Sequence, residues 1–83
     1  MGEYAEARAM YEAVLAVRQR VLGEEHPETL TTQHDLAGVL QSMGEYPEAR
    51  AVYEAVLAVW QRVLGEEHPS TLITQHNLSL IHI

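Results

Sequence analysis

The sequence predicts an all-α fold in which about four helices stack as antiparallel hairpins. The first observation is a repeat, because segment 1–36 returns at 43–78 with six changes, and a chain of this kind stacks one supersecondary unit on its copy. The second is the helical spacing of apolar residues within each copy. The third is a composition led by good helix formers, with no sustained alternation of Val or Ile with polar residues. We predict a single array, 1–83, of two repeat units, 1–42 and 43–83.

The first helix is predicted from about Glu3 to Leu22. Apolar residues recur there at helical spacing, among them Ala7, Tyr11 and Val14, and this pattern is typical of an amphipathic helix. Gly23 follows at the position where a glycine commonly stops a helix.

The second helix is predicted from Pro27 to Met43, since proline is well tolerated as a first helical residue. Gly44 follows it as a stop. A long helix is then expected from Pro47 to Leu64, and a last helix from Pro69. Because the turns are short, neighbouring helices should run antiparallel.

Both ends of the chain differ from the repeat pattern. Met1 aligns with Met43, which is internal to the repeat, and the match fails after Leu78. Terminal repeats normally carry a polar outer face. We therefore expect a fragment of a longer array, with a C-terminal tail that does not belong to the repeat.

The charge of the chain limits its partners. It carries 12 Asp and Glu against 5 Lys and Arg, for a formal net charge of −7, and such a field repels phosphate backbones. This argues against nucleic acid and favours neutral or basic partners. The apolar runs are far shorter than the roughly 20 residues that span a bilayer, so no membrane partner is expected. The absence of Cys excludes disulfides and fits a cytoplasmic location.

No residue set suggests catalysis. The sequence offers no nucleophile beside a base, no glycine-rich phosphate loop and no Lys. The pairs at 24–25 and 66–67 are Glu residues in predicted solvated turns, where nothing raises their pKa for acid–base work. We expect no enzymatic activity, no catalytic residue and no cofactor.

Histidines have a structural interpretation. His26 and His68 each precede a proline at a predicted helix start, which indicates a turn or capping role. His34 and His76 should lie on one face of the stack, but each has only one Asp or Asn beside it, too few ligands for a closed zinc site. No metal site is expected.

Two of the six changes between the copies stand out. Trp60 replaces Arg18, which predicts burial of this position against the next helix. Ile73 replaces Thr31, which would give the second unit an apolar contact. All four tyrosines fall at positions where packing in the core is expected, namely Tyr4, Tyr11, Tyr46 and Tyr53.

A family resemblance comes from the small and large residues that alternate between the two helices of a unit. They are Leu36, Ala37, Leu40, Gly44, Tyr46, Ala49, Tyr53, Val56 and Leu57. This run resembles the tetratricopeptide repeat (TPR). The period of 42 residues and the turn LGEEHP followed by TL resemble the kinesin-light-chain type of this repeat.

The resemblance implies a fragment of a right-handed α-solenoid that serves as a non-catalytic scaffold for a protein or peptide ligand. Such repeats bind on a concave groove lined by the first helix of each hairpin. By resemblance, the groove positions here are Thr31, His34, Asp35, Gly38, Gln41, Ile73, His76, Asn77 and Leu80. These positions contain none of the Lys and Arg residues with which some members hold a peptide carboxylate.

Two other functions fit the same sequence. The chain could be a structural repeat that self-associates through its uncapped ends. It could instead be the regulatory array of a larger signalling or nucleotide-switch protein.

Overall fold

The computed structural model describes residues 2–81, and this range contains four α-helices and no strand. They are α1 (Gly2–Val21), α2 (Pro27–Ser42), α3 (Tyr46–Leu64) and α4 (Pro69–Ser79). The all-α prediction is confirmed, and the observed helix ends lie within one residue of the predicted ones. Met1, His82 and Ile83 lie outside the described residues, as does the part of the predicted 1–83 array that they form.

The helices form two layers. Each helix packs on the next one in the chain. An ion pair between Arg8 Nη2 and Glu48 Oε2, at 2.9 Å, joins α1 to α3. A side-chain contact of 3.1 Å between His34 and Asn77 joins α2 to α4. Helices α1 and α3 therefore lie side by side in one layer, and α2 and α4 lie side by side in the other.

Helices α2 and α4 each begin with a histidine cap. His26 Nδ1 accepts a hydrogen bond from the Glu28 backbone N–H at 3.1 Å, and His68 Nδ1 accepts one from the Ser70 N–H at 3.1 Å. Each bond satisfies a donor that the first turn leaves unpaired, which stabilises a helix by about 1 kcal/mol. The predicted capping role of these two histidines is confirmed.

The stop after α2 requires a glycine. Gly44 has φ of 84°, a conformation that costs residues with a Cβ. Its N–H donates to the Gln41 carbonyl at 3.0 Å, and the Glu45 N–H donates to the Leu40 carbonyl at 2.9 Å. Two of the last carbonyls of the helix are thereby satisfied, and the chain turns back into α3.

The core lies mainly between α2 and α3. One cluster combines residues of α2, α3 and the segment after α4, and a second combines α2 with the C-terminal half of α3. The first cluster contains Leu36, Ala37, Leu40, Ala49, Tyr53 and Ile81. The second contains Leu30, Val56 and Trp60.

The tyrosines do not all belong to this core. Tyr53 is buried, and Tyr11 is half-buried against the first cluster. Tyr4 and Tyr46 are exposed, so their predicted core role is wrong. They lie in the first turns of α1 and α3, where the described residues do not cover their rings.

The segment after α4 contributes to the fold. The helix ends at Ser79, and the Ile81 N–H donates to the Leu78 carbonyl at 3.2 Å. The Ile81 side chain is buried among core residues of α2 and α3. The residues beyond Leu78 depart from the repeat sequence, yet Ile81 packs in the core.

Between residues 2 and 81, no helix combines the length and the apolar character that crossing a membrane requires.

Candidate peptide-binding surface

The predicted groove residues all lie on α2, on α4 or directly after α4, and we call them together the α2–α4 surface. Five have exposed side chains, and the other four are half-buried; none is in the core. The exposed residues are Thr31, Asp35, Ile73, His76 and Leu80. The half-buried ones are His34, Gly38, Gln41 and Asn77.

His34 lies at the centre of this surface. Its Nε2 is 3.1 Å from Asn77 Nδ2. With the amide as donor, Nε2 accepts, and Nδ1 carries the proton of the neutral imidazole. The first copy has Asp35 at the position of Asn77, and a carboxylate could not donate this bond. In this tautomer, the change from Asp to Asn allows the hydrogen bond that joins α2 to α4.

The Tyr53 ring packs against the His34 ring. The two rings meet edge to face, with centroids 5.2 Å apart and planes at 71°, a favourable arrangement for aromatic pairs. The Tyr53 hydroxyl also approaches Gln41 Oε1 at 3.4 Å. Burial raises the pKa of the phenol, and the Asp35 carboxylate raises it further. The tyrosine therefore stays a neutral donor.

Burial lowers the pKa of His34, and the nearby Asp35 carboxylate opposes this shift only in part. Below pH 6.5, the ordinary value, the unfolded chain binds a proton that the folded chain excludes. Stability is therefore lost as the pH falls through this value.

We expect wild type to lose more unfolding free energy than His34→Gln between about pH 7.5 and pH 5.5, measured by urea titration. His76→Gln makes the same substitution at the exposed counterpart and serves as the control. Equal pH dependence in wild type and His34→Gln would contradict the prediction.

The second histidine of the surface has a different environment. His76 is exposed, and its carbonyl accepts a hydrogen bond from Ser79 Oγ at 2.6 Å. His34 contacts Asn77 instead. Over residues 2–81 there is no group of three or more His, Cys, Asp or Glu residues arranged to hold a metal ion.

Leu80 is the last predicted groove residue and lies beyond the end of α4. It is exposed and, with Ile81, faces the C-terminal end of α2, where Gln41 and Ser42 line a hollow of about 540 Å³. The groove positions of the second unit therefore do not continue on a helix as those of the first unit do.

A cavity within this surface was not predicted from the sequence. It has a volume of about 140 Å³ and is lined by Thr31, His34, Trp60, Ser70 and Ile73. Trp60 is buried, as predicted, but it clusters with Leu30 of the preceding helix α2 as well as facing α4. Three of the six changes between the copies line this cavity. Their clustering is the signal from which the cavity could have been predicted.

Arg18 occupies the position of Trp60 in the first copy. Its Nη1 donates to Thr32 Oγ1 at 2.8 Å and to the Glu28 carbonyl at 3.2 Å. In the first copy, the charged Arg18 side chain therefore contacts α2. At the equivalent position of the second copy, the Trp60 indole packs between α2 and α4.

Most charged residues of the chain lie outside the α2–α4 surface. Asp35 is the one carboxylate among the nine residues of the α2–α4 surface, which has no Lys or Arg. The predicted exposure of the Glu residues in the turns is confirmed. One of them, Glu25, pairs with Arg62 at 2.6 Å, and this hydrogen bond lowers the pKa of the carboxyl. Such an exposed pair contributes little to stability.

Comparison with known proteins agrees with the geometry. The family model of the tetratricopeptide repeat matches residues 1–43 and 30–83. No curated protein matches the chain.

A solved structure is similar over most of the chain. It is the crystal structure of nearly identical TPR-like repeats assigned to a kinesin light chain of Podosopora anserina, with a TM-score of 0.89 and 39% sequence identity. The match covers 96% of this chain and 38% of the other. This chain thus spans well under half of the length of that relative. Together with the family match, the similarity shows that the chain belongs to the tetratricopeptide repeat family and that its repeats are kinesin-light-chain-like.

Proposed function

We propose that this chain is a non-catalytic scaffold that binds a protein or peptide segment on the α2–α4 surface. Proteins of this repeat family generally mediate protein interactions. The observation that carries the proposal is the arrangement of α2 and α4. These helices lie side by side, joined by the His34–Asn77 contact, and present exposed polar residues beside Ile73, whose side chain is 56% exposed.

The binding mechanism we propose is presentation of a preformed surface. Helix α2 is held between α1 and α3, so its outward residues keep their positions, and a ligand can dock with little change of the backbone. The net charge of −7 favours a neutral or basic ligand. A cytoplasmic location is part of this proposal.

The two units would act within a larger whole. We propose that units 1–42 and 43–83 belong to a longer array, because the chain spans only 38% of a relative built of such repeats. The array could then present a longer surface or regulate a further domain of the same protein.

Selection from a displayed library of random peptides tests the proposal on the 83-residue chain. Peptides selected on wild type are measured against Asp35→Arg combined with His76→Arg, which changes two exposed residues of the surface. The matched control combines Ala13→Arg and Glu54→Arg, which are exposed positions on α1 and α3 with the same change of charge.

We expect the surface variant to bind the selected peptides at least tenfold more weakly, a change of about 1.4 kcal/mol, and the control to bind them within twofold of wild type. Equal binding by wild type and both variants would remove the α2–α4 surface from the proposal. Circular dichroism of all three proteins checks that their helix content is the same.

Self-association is the second candidate, and the unequal burial of equivalent residues favours it. Leu30 of α2 is buried against Val56 and Trp60, whereas its counterpart Leu72 of α4 is exposed. Val14 of α1, the counterpart of Val56, is exposed as well. Stacking of α4 on α1 of a second copy would bury both. Sedimentation of the chain alone should then show mass that grows with concentration, and a constant monomer mass would rule it out.

A further inference from the structure

We infer that the cavity among α2, α3 and α4 is a binding site for one apolar side chain, of about leucine or phenylalanine size, from a basic peptide ligand. This inference rests on the proposed function and assigns the residue of the ligand that gives it specificity. The cavity is the one lined by Thr31, His34, Trp60, Ser70 and Ile73.

The size of the cavity selects one side chain. Its volume is about 140 Å³, far more than the 10–15 Å³ that one water molecule needs, and close to the ~150 Å³ of an apolar cavity that admits benzene. It is open to the α2–α4 surface through Ile73, which is more than half exposed.

The lining selects an apolar group. Trp60, 4% exposed, provides an inner wall, and Ile73 provides an apolar side. Thr31 and Ser70 have short neutral side chains. Burial keeps His34 neutral by lowering its pKa, and its Nε2 is already engaged by Asn77. A charged group entering this site would lose its hydration without an ionic partner, which is costly.

The differences between the copies are concentrated at this cavity, which residues of both units line. Trp60, Ser70 and Ile73 replace Arg18, Glu28 and Thr31. Each change removes a charge or a hydroxyl, and Ser70 also removes the bulk that Glu28 has at the equivalent position. Half of the six changes thus fall on one five-residue cavity, and all three make it less polar or less filled.

Charge favours a basic ligand around that apolar residue. The chain carries a net charge of −7. Beside the cavity, Asp35 is exposed on the next turn of α2, and no Lys or Arg belongs to the surface. Lys or Arg residues flanking the apolar side chain would meet this field favourably.

The test returns first-copy residues to the cavity one at a time. Peptides selected on wild type, as described above, are titrated against Ser70→Glu and Ile73→Thr, with Pro47→Ala as the control. Pro47→Ala also restores a first-copy residue, but it lies away from the cavity. All three changes use residues that the same fold already carries. Trp60 is the one tryptophan of the chain, so its fluorescence reports on the cavity directly.

We expect Ser70→Glu to weaken binding at least tenfold, although its added negative charge would strengthen attraction to a basic peptide. Ile73→Thr should weaken binding several-fold, Pro47→Ala should leave it unchanged, and peptide should alter Trp60 emission. Replacing the apolar peptide residue by Ala should weaken binding to wild type but not to Ser70→Glu, because the two changes remove the same contact.

The possible failures are distinct. Peptides that depend on Asp35 and His76 but bind Ser70→Glu as tightly as wild type would overturn the cavity site and leave the proposed function standing. Binders that lack a common apolar residue, or that are acidic, would also overturn it. A selection that yields no binder sensitive to the surface variant would overturn both.

Discussion

Replacement of Val56 by Asp is expected to abolish the folded state at neutral pH. The Val56 side chain is 0% exposed and packs with Leu30 and Trp60 between α2 and α3. A carboxylate there would be buried without a partner, at a cost of several kcal/mol. A single core of this size provides only about 3–5 kcal/mol of stability. Circular dichroism should therefore show loss of most helical signal at room temperature.

The repeat provides the control for this prediction. Val14→Asp makes the same chemical change at the equivalent position of α1, where the side chain is 41% exposed. Water can hydrate the carboxylate there, so we expect a loss below about 1 kcal/mol. If the two variants unfolded at the same urea concentration, the packing of α3 between α2 and α4 would be wrong.

Replacement of Tyr53 by Ala is expected to remove most of the stability of the chain. Tyr53 is 2% exposed, belongs to the larger core cluster and contacts His34 edge to face. Loss of a buried aromatic ring leaves a cavity, and such substitutions cost about 3–5 kcal/mol. The urea midpoint should fall near zero, and any residual fold should have lost the His34 environment.

Tyr11→Ala is the matched control. Tyr11 is the equivalent residue of α1 and is only half-buried against the same cluster. Its removal should cost about 1–2 kcal/mol and leave a cooperative transition. A larger loss at Tyr11 than at Tyr53 would contradict the burial seen here. Urea denaturation followed by circular dichroism compares the two variants directly.

The helices themselves could be predicted from the sequence because the signals that start and end them are local. Pro27 and Pro69 mark first turns, and His26 and His68 cap them through their own neighbours. Gly44 closes α2 with φ of 84°. Each of these start and stop signals depends on a few adjacent residues, and each occurs in both copies of the repeat.

The positions of the candidate surface came from the family resemblance and not from periodicity. All nine lie on α2, on α4 or directly after α4, and none is in the core. Their partners could not be predicted: His34 meets Asn77 and Tyr53, 43 and 19 positions away in the sequence, and that depends on how the helices cross.

The fold class, the repeat, the helix ends and the acidity of the chain all follow from the amino-acid sequence alone. Which of two equivalent residues is buried depends on packing, because α3 packs closely against two helices, α2 and α4, whereas α1 packs closely against α2 alone. The same cause explains why Val56 is buried and Val14 is not. Packing also brings Trp60 of α3 together with Ser70 and Ile73 of α4 at one cavity. It places the Ile81 side chain in the core as well.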